Sequence, residues 1–253
     1  MSEQAGKSYP LSLPRRLIGD LLHFARRIPT VPVQRHMDLG PLAQARAGRP
    51  VSWCTLFMKA YACIALRVPQ LRRVYMPFPR SHLYEHPASI ASVAIERSYR
   101  GEDAVFFVHF RHPERQTLAE LEASLRRYRE TPLEEIALIR RALQVSRLPR
   151  PLRRALWWYG LNSSGAKRAR RMGTFGLSVY SSLGAESLHP LSPLTTTLTY
   201  GVIQPDGRVP VRIVYDHRVM DGAVVARALG MLEQILNQEI RAELAGATRE
   251  QAA

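Results

Sequence analysis

Apolar positions along the chain switch between two spacings, one recurring every three to four residues and one recurring every two. Ser12 precedes Leu17, Ile18, Leu21, Leu22 and Phe24, the stripe of a capped helix that ends near Pro29. Val31, Val33, Arg35, Met37 and Leu39 then alternate as a strand. Ser52 opens a helix running to about Val68, stopped by Pro69; it is apolar on most sides, which predicts a central position. Residues 89–97 and 103–110 predict strands around Gly101. Thr117-Leu118-Ala119-Glu120 and Thr131-Pro132-Leu133-Glu134 are two capping boxes, each expected to open a helix. Residues 173–183, 194–203 and 209–216 predict three strands, with Gln204-Pro205-Asp206-Gly207 as the turn between the last two. From Val224 the spacing is helical again, with Val225, Ala228, Leu229, Leu232, Ile235 and Leu236 on one stripe. Helices mixed with strands, and strands clustered late, predict an α/β sandwich on a mixed sheet. The expectation is one domain over residues 1–253, with 1–10 as a loose arm.

Composition narrows this picture without redirecting it. A chain of 253 residues with 46% hydrophobic content can bury one large core. No apolar run approaches the ~18 residues of a membrane span, and the N-terminus lacks the apolar centre of a secretory signal. Cys54 and Cys63 share one helix-like segment and cannot reach each other from it, so both read as buried thiols of a reducing, cytoplasmic compartment. The net charge of +15 is nearly all arginine, because Lys7, Lys59 and Lys167 are the only lysines. Such an excess favours an anionic partner.

The sharpest chemical signal is Asp216-His217-Arg218-Val219-Met220-Asp221-Gly222. It sits where the strand spacing ends and the last helix begins. Histidine ordinarily titrates near neutrality, so one held on a strand-to-helix turn is placed to take a proton at working pH. Asp221 falls where a helix N-cap belongs, and Gly222 permits close approach of backbones. Alone, such a histidine would read as structural and Asp221 as a cap.

The full string changes that reading. It resembles the active-site motif of the 2-oxoacid dehydrogenase acyltransferases, whose fold chloramphenicol acetyltransferase shares. Other segments agree in order: Pro29-Thr30-Val31 leading to His36-Met37-Asp38-Leu39, Ser52 to Ala60, Ile90 to Glu120, and Gly173-Thr174-Phe175-Gly176-Leu177-Ser178 followed by Ser181-Ser182-Leu183-Gly184. The resemblance covers roughly residues 10–245. It implies a chloramphenicol acetyltransferase-like two-layer sandwich, a mixed sheet with helices packed on one side. It also implies a homotrimer with active sites between subunits, and acyl transfer within a ternary complex with no acyl-enzyme. In those terms His217 is the general base, the Ser178 hydroxyl is the oxyanion donor with Ser181 and Thr174 as rivals, and Asp221 orders the loop through an arginine salt bridge. Coenzyme A or acyl-CoA is the implied co-substrate; no residue is assigned to bind it. There is no metal motif and no lipoyl attachment site or subunit-binding domain in the sequence.

Two departures stand out. Extra residues separate Ser178 from the Leu-Gly pair that closes the family's stretch, and segment 138–172 reads as a basic helical insertion. There Arg140, Arg141, Arg147, Arg150, Arg153 and Arg154 precede Trp157-Trp158-Tyr159, and Lys167, Arg168, Arg170 and Arg171 follow. This suits an acyl carrier protein, coenzyme A phosphates or an anionic membrane surface met peripherally; nucleic acid rests on charge alone. His82, His86 and His189 neighbour prolines or turns and are expected at the surface; His109 and His112 lack metal-ligand spacing. The functional expectation is a free-standing, lipid-related acyltransferase using a thioester donor. The alternatives are the core of a 2-oxoacid dehydrogenase complex served by a separate lipoyl domain, and a non-catalytic scaffold of the same fold.

Overall fold

The computed structural model describes residues 6–251. Helix α1 (Leu13–Ala25) starts where Ser12 Oγ accepts the Arg15 N–H at 3.3 Å. Strand β1 (Thr30–Asp38) follows, then the short α2 (Gly40–Arg46) and α3 (Trp53–Arg67). A separate hairpin, β2 (Arg73–Met76) and β3 (His82–Glu85), precedes the long antiparallel pair β4 (Ile90–Tyr99) and β5 (Glu102–Arg111). Four helices come next: α4 (Leu118–Glu130), α5 (Ala137–Ser146), α6 (Arg150–Asn162) and α7 (Gly165–Met172). The chain closes with β6 (Phe175–Leu177), β7 (Thr196–Tyr200), β8 (Arg208–Asp216), α8 (Gly222–Ile235), a π-helical turn (Leu236–Ile240) and α9 (Arg241–Gln251).

Six strands form one sheet in the order β1-β8-β7-β6-β4-β5. The β4–β6 and β6–β7 pairs are parallel and the other pairs antiparallel, so the sheet is mixed as expected. Its apolar face carries Val93, Ile95, Phe106, Val108, Phe175, Leu177, Leu198, Val211 and Ile213, all buried. Against it packs the main helical layer, α3, α4 and α8. The α3 helix is central, with Leu56, Phe57, Tyr61 and Ile64 fully enclosed. Tyr61 stacks on Phe175 at 4.3 Å and its hydroxyl bonds Thr196 Oγ1 at 2.7 Å; Phe57 stacks on Tyr200 at 4.2 Å. Glu122 of α4 docks on the α3 N-terminus, accepting from the Ser52 N–H, the Ser52 hydroxyl and the Thr55 hydroxyl.

The other face is more polar, with Ser92, Thr197, Thr199 and Arg212. Helix α1, with α5 and Trp157 of α6, covers its β4–β5 end. Arg212 donates to the Ser187 carbonyl at 2.7 Å and holds the 184–194 loop over the rest.

Several sequence expectations need correction. The Thr117 capping box forms, with both reciprocal bonds, but the one at Thr131 does not. Thr131 ends α4 instead: its N–H donates to the Arg127 carbonyl and its own carbonyl takes the Arg97 guanidinium at 3.1 Å. The next helix waits until Ala137. The strand expected over 173–183 shrinks to Phe175–Leu177, and Ser181–Leu183 turns as a 3-10 helix. Gly173 begins that segment at φ +89°, where a Cβ would meet Ser92 Cβ at 2.9 Å and the Ile90 carbonyl at 3.0 Å. Cys54 and Cys63 are free and half-buried rather than enclosed. Residues 1–5 of the expected arm lie outside the described residues, and 6–12 carry no regular element.

Candidate active site

His217 is the first residue beyond β8, and the turn that carries it is tied down from several directions. Its N–H donates to the Pro29 carbonyl at 3.0 Å, across the sheet edge from β1. Before it, Asp216 is buried, and its carboxylate gathers the Arg218 N–H at 3.0 Å and the Arg218 guanidinium at 2.9 and 2.7 Å. Charge-assisted, two-pronged contacts of this kind fix geometry as well as adding energy. The Arg218 guanidinium lies 4.4 Å over the Tyr75 ring, which fixes it further. Val219 closes the turn by donating to the Asp216 carbonyl at 3.0 Å, and Val219 and Met220 are buried beneath. The imidazole itself leans on Tyr215 (5.6 Å between centroids) and leaves 49% of its side chain exposed. A rigid turn thus carries a histidine whose reactive edge reaches solvent.

Asp221 is placed at the α8 N-cap, but its side chain makes no capping bond. Nor is it paired with an arginine among the described residues; the motif's arginine contact belongs to Asp216 and Arg218. The reason is local: Arg218 folds back on the carboxylate already buried at the strand end, while Asp221 points outward at 85% exposure. What Asp221 does face is His217, Nδ1 to Oδ1 at 3.7 Å. Gly222 keeps the helix start close to the sheet: a Cβ there would lie 3.3 Å from the Tyr215 hydroxyl.

Ser178 follows β6, its N–H donating to the Leu198 carbonyl at 3.2 Å. It lines an open cleft of roughly 750 Å³ together with Ser181, Ser182, Tyr200 and Cys54, and also a second cleft of roughly 400 Å³ on the polar face. Of its rivals, Thr174 is engaged elsewhere: its buried hydroxyl accepts the Ile90 N–H at 2.9 Å and donates to the Ile90 carbonyl at 3.2 Å. Ser181 sits on the 3-10 turn with its hydroxyl on Tyr200. The part of Cys54 that carries the thiol is turned into the core, and its burial pushes the thiol up to about 12.

One chain does not bring Ser178 and His217 together. Strand β6 runs parallel to β7, and β7 antiparallel to β8, so the two residues leave the sheet at opposite ends. Ser178 is level with Thr199 and Arg212; His217 is five residues further along β8. With strand rises of ~3.4 Å and two strand spacings of ~4.8 Å, their backbones stand about 20 Å apart.

Sequence reasoning missed the cations of the larger cleft. Arg46, Arg97 and Arg129 line it beside Glu96 and the apolar Val93, Ile95, Leu125 and Leu177. They come from separate elements, so no spacing announces them. It also misplaced His86, which is buried and held down to about 4 by desolvation, then by Arg168 and Arg72. His109 is likewise held down to about 4, by burial and then by Arg111.

No family model matches the sequence, and no curated protein matches it. Solved structures do. The fold is similar to the dihydrolipoamide acetyltransferase of Azotobacter vinelandii at a TM-score of 0.69 and 20% identity, covering 95% of this chain and 94% of that one. It is similar to the cubic core of the pyruvate dehydrogenase multienzyme complex at 0.65 and 20%, covering 95% and 94%. Chloramphenicol acetyltransferase follows at 0.52 and 16%, covering 89% and 98%. The chain therefore has the chloramphenicol acetyltransferase-like fold of these acetyltransferase cores, as the motif order implied.

Proposed function

We propose that the chain is an acyltransferase that moves an acyl group from a thioester to a thiol, hydroxyl or amine acceptor, with His217 as general base. The observation that carries this reading is the half-exposed imidazole on a turn pinned by Asp216, Arg218 and Pro29. Pre-positioning of a base is what acid–base catalysis requires. With Nδ1 towards Asp221, Nε2 is the nitrogen that takes the acceptor proton. The acceptor atom then bonds to the thioester carbonyl carbon. The resulting oxyanion accepts from the Ser178 hydroxyl. Collapse breaks the carbon–sulfur bond, and the leaving thiolate recovers the proton from the imidazolium.

The two halves of this chemistry meet only if Ser178 comes from a neighbouring subunit, so the active unit is a ring of like chains, a homotrimer by resemblance. The cubic core among its structural relatives is an assembly of this fold. In the Azotobacter enzyme a serine, a histidine and an asparagine four residues after the histidine have been studied for a role in the catalytic mechanism. His217 and Asp221 keep that spacing, with a carboxylate in place of the amide. The cleft that holds Ser178 suits a donor such as acyl-CoA: Arg46 and Arg129 answer phosphates, and the apolar wall answers the acyl chain.

The test is thiol release from acyl-CoA esters, acetyl to palmitoyl, with dihydrolipoamide or a lipid extract as acceptor, for the wild type and His217→Ala. Acceptor-dependent release that the variant lacks is the expected result. Preference for dihydrolipoamide would place the chain in a 2-oxoacid dehydrogenase complex rather than as a free-standing enzyme. Equal rates in both proteins would overturn His217 as base and leave the scaffold reading.

A further inference from the structure

We propose that the outer face of α6 is a docking surface for an anionic lipid bilayer. The helix is turned the wrong way for water. Leu152, Leu156 and Tyr159 recur along one stripe with Trp158 beside it, and all four are exposed, Leu152 and Trp158 at 48%. Of the three arginines of the helix, the middle one faces inward: Arg153, at 8% exposure, binds Asp20 of α1 at 2.6 Å and the Leu148 carbonyl at 3.1 Å. That buried pair anchors α6 in the orientation that presents its apolar side outward. The patch extends to a second element, because exposed Phe78, in the β2–β3 connection, meets the Trp158 ring at 5.6 Å.

Charge around the stripe has one sign. Residues 137–172 contain ten arginines and lysines and no aspartate or glutamate. Arg140, Arg141, Arg147, Arg150, Lys167, Arg170 and Arg171 are exposed. Lys167 and Arg171 lie over the Tyr159 ring at 5.9 and 5.4 Å, so aromatic and cation present themselves together.

The same facts choose among occupants. A second copy of this face is repelled, since the segment offers its own cations no carboxylate. An acidic protein could answer the charge, but side chains on a helix crest need a hollow of matching shape in a rigid partner. A bilayer deforms around a ridge. It receives leucines among its acyl chains, tryptophan and tyrosine at the interface, and arginines at the phosphates. Contact is peripheral, because no helix among the described residues is long and apolar enough to cross a membrane.

Sedimentation of the full chain with phosphatidylglycerol-containing vesicles, against neutral phosphatidylcholine vesicles, tests this. Expected are binding at least tenfold tighter to the anionic vesicles and weakening with salt. The Arg147→Gln/Arg150→Gln/Lys167→Gln variant is expected to bind roughly a hundredfold more weakly, about fivefold per cation lost. Leu152→Ser/Leu156→Ser is expected to bind at least tenfold more weakly with an unchanged circular dichroism melt. His217→Ala should bind as the wild type does, which separates this surface from the catalytic reading. Equal binding to neutral vesicles, no binding to either, an unaffected triple-cation variant, or capture of an acidic carrier protein in place of vesicles would each overturn the proposal.

Discussion

If the reacting groups come from neighbouring subunits, two inactive chains should repair each other. Consider His217→Ala and Ser178→Ala. In one chain the two residues leave the sheet at opposite ends, about 20 Å apart, while an oxyanion donor and the base must both lie within ~3 Å of groups on one reacting centre. No side-chain rotation closes that gap. Each variant alone should be nearly silent, Ser178→Ala by about a hundredfold or more for loss of one oxyanion donor. In a cyclic trimer each site uses the histidine of one subunit and the serine of the next. Every mixed trimer then has one wild-type pairing among its three interfaces, so purified heteromers should recover roughly a third of wild-type turnover. The assay is thioester cleavage with acceptor, on heteromers isolated through two different affinity tags. Activity that never exceeds the mean of the parents would refute a shared site. Recovery with His217→Ala/Ser178→Ala double-variant chains as one partner would refute the assignment of either residue.

Three further outcomes follow from the fold. Asp20→Asn leaves the Arg153 guanidinium buried without its counter-charge and should cost about 3–5 kcal/mol in urea unfolding; a loss below about 1 kcal/mol would show that the pair does not hold α6 to α1. Gly165→Ala drives a methyl group against the Tyr84 ring, so overpacking of about 1–3 kcal/mol should outweigh the small gain in helix propensity at this first helical position; Tyr84→Ala should suppress the defect, and a stabilised Gly165→Ala protein would contradict it. His86 and His109 are both held down to about 4 in the folded chain, below the ordinary 6.5. Protons therefore bind the unfolded chain first, and stability present above pH 6.5 is lost as pH falls towards 4. The slope approaches about 1.4 kcal/mol per pH unit for each histidine once the unfolded form is protonated, so unfolding free energies from urea titrations at pH 6.5 and 5.5 should differ by about 2 kcal/mol, and a flat profile would rule the effect out.

Sequence by itself determined what depends on neighbours along the chain. Period-two spacing in Val211, Ile213 and Tyr215 made β8, the stripe from Val225 to Ile235 made α8, and the apolar run after Ser52 made α3 the centre of the fold. His217 was legible for the same reason: a strand end, a turn and a helix start are local events. Thr131 shows the limit, since a capping box that is correct in sequence yielded to the end of α4, whose Arg127 carbonyl takes the Thr131 N–H while Arg97, thirty-four residues away, holds the Thr131 carbonyl. His86 shows it again, because burial is a property of the packed molecule. Only the tertiary structure decided that Asp216 rather than Asp221 takes the arginine, that Ser178 and His217 leave opposite ends of the sheet, and that α6 turns Leu152 and Leu156 to solvent. Each is settled by how strands and side chains pack in three dimensions, even where, as for Asp216 and Arg218, the groups are neighbours in sequence, and spacing alone carries no record of which arrangement wins.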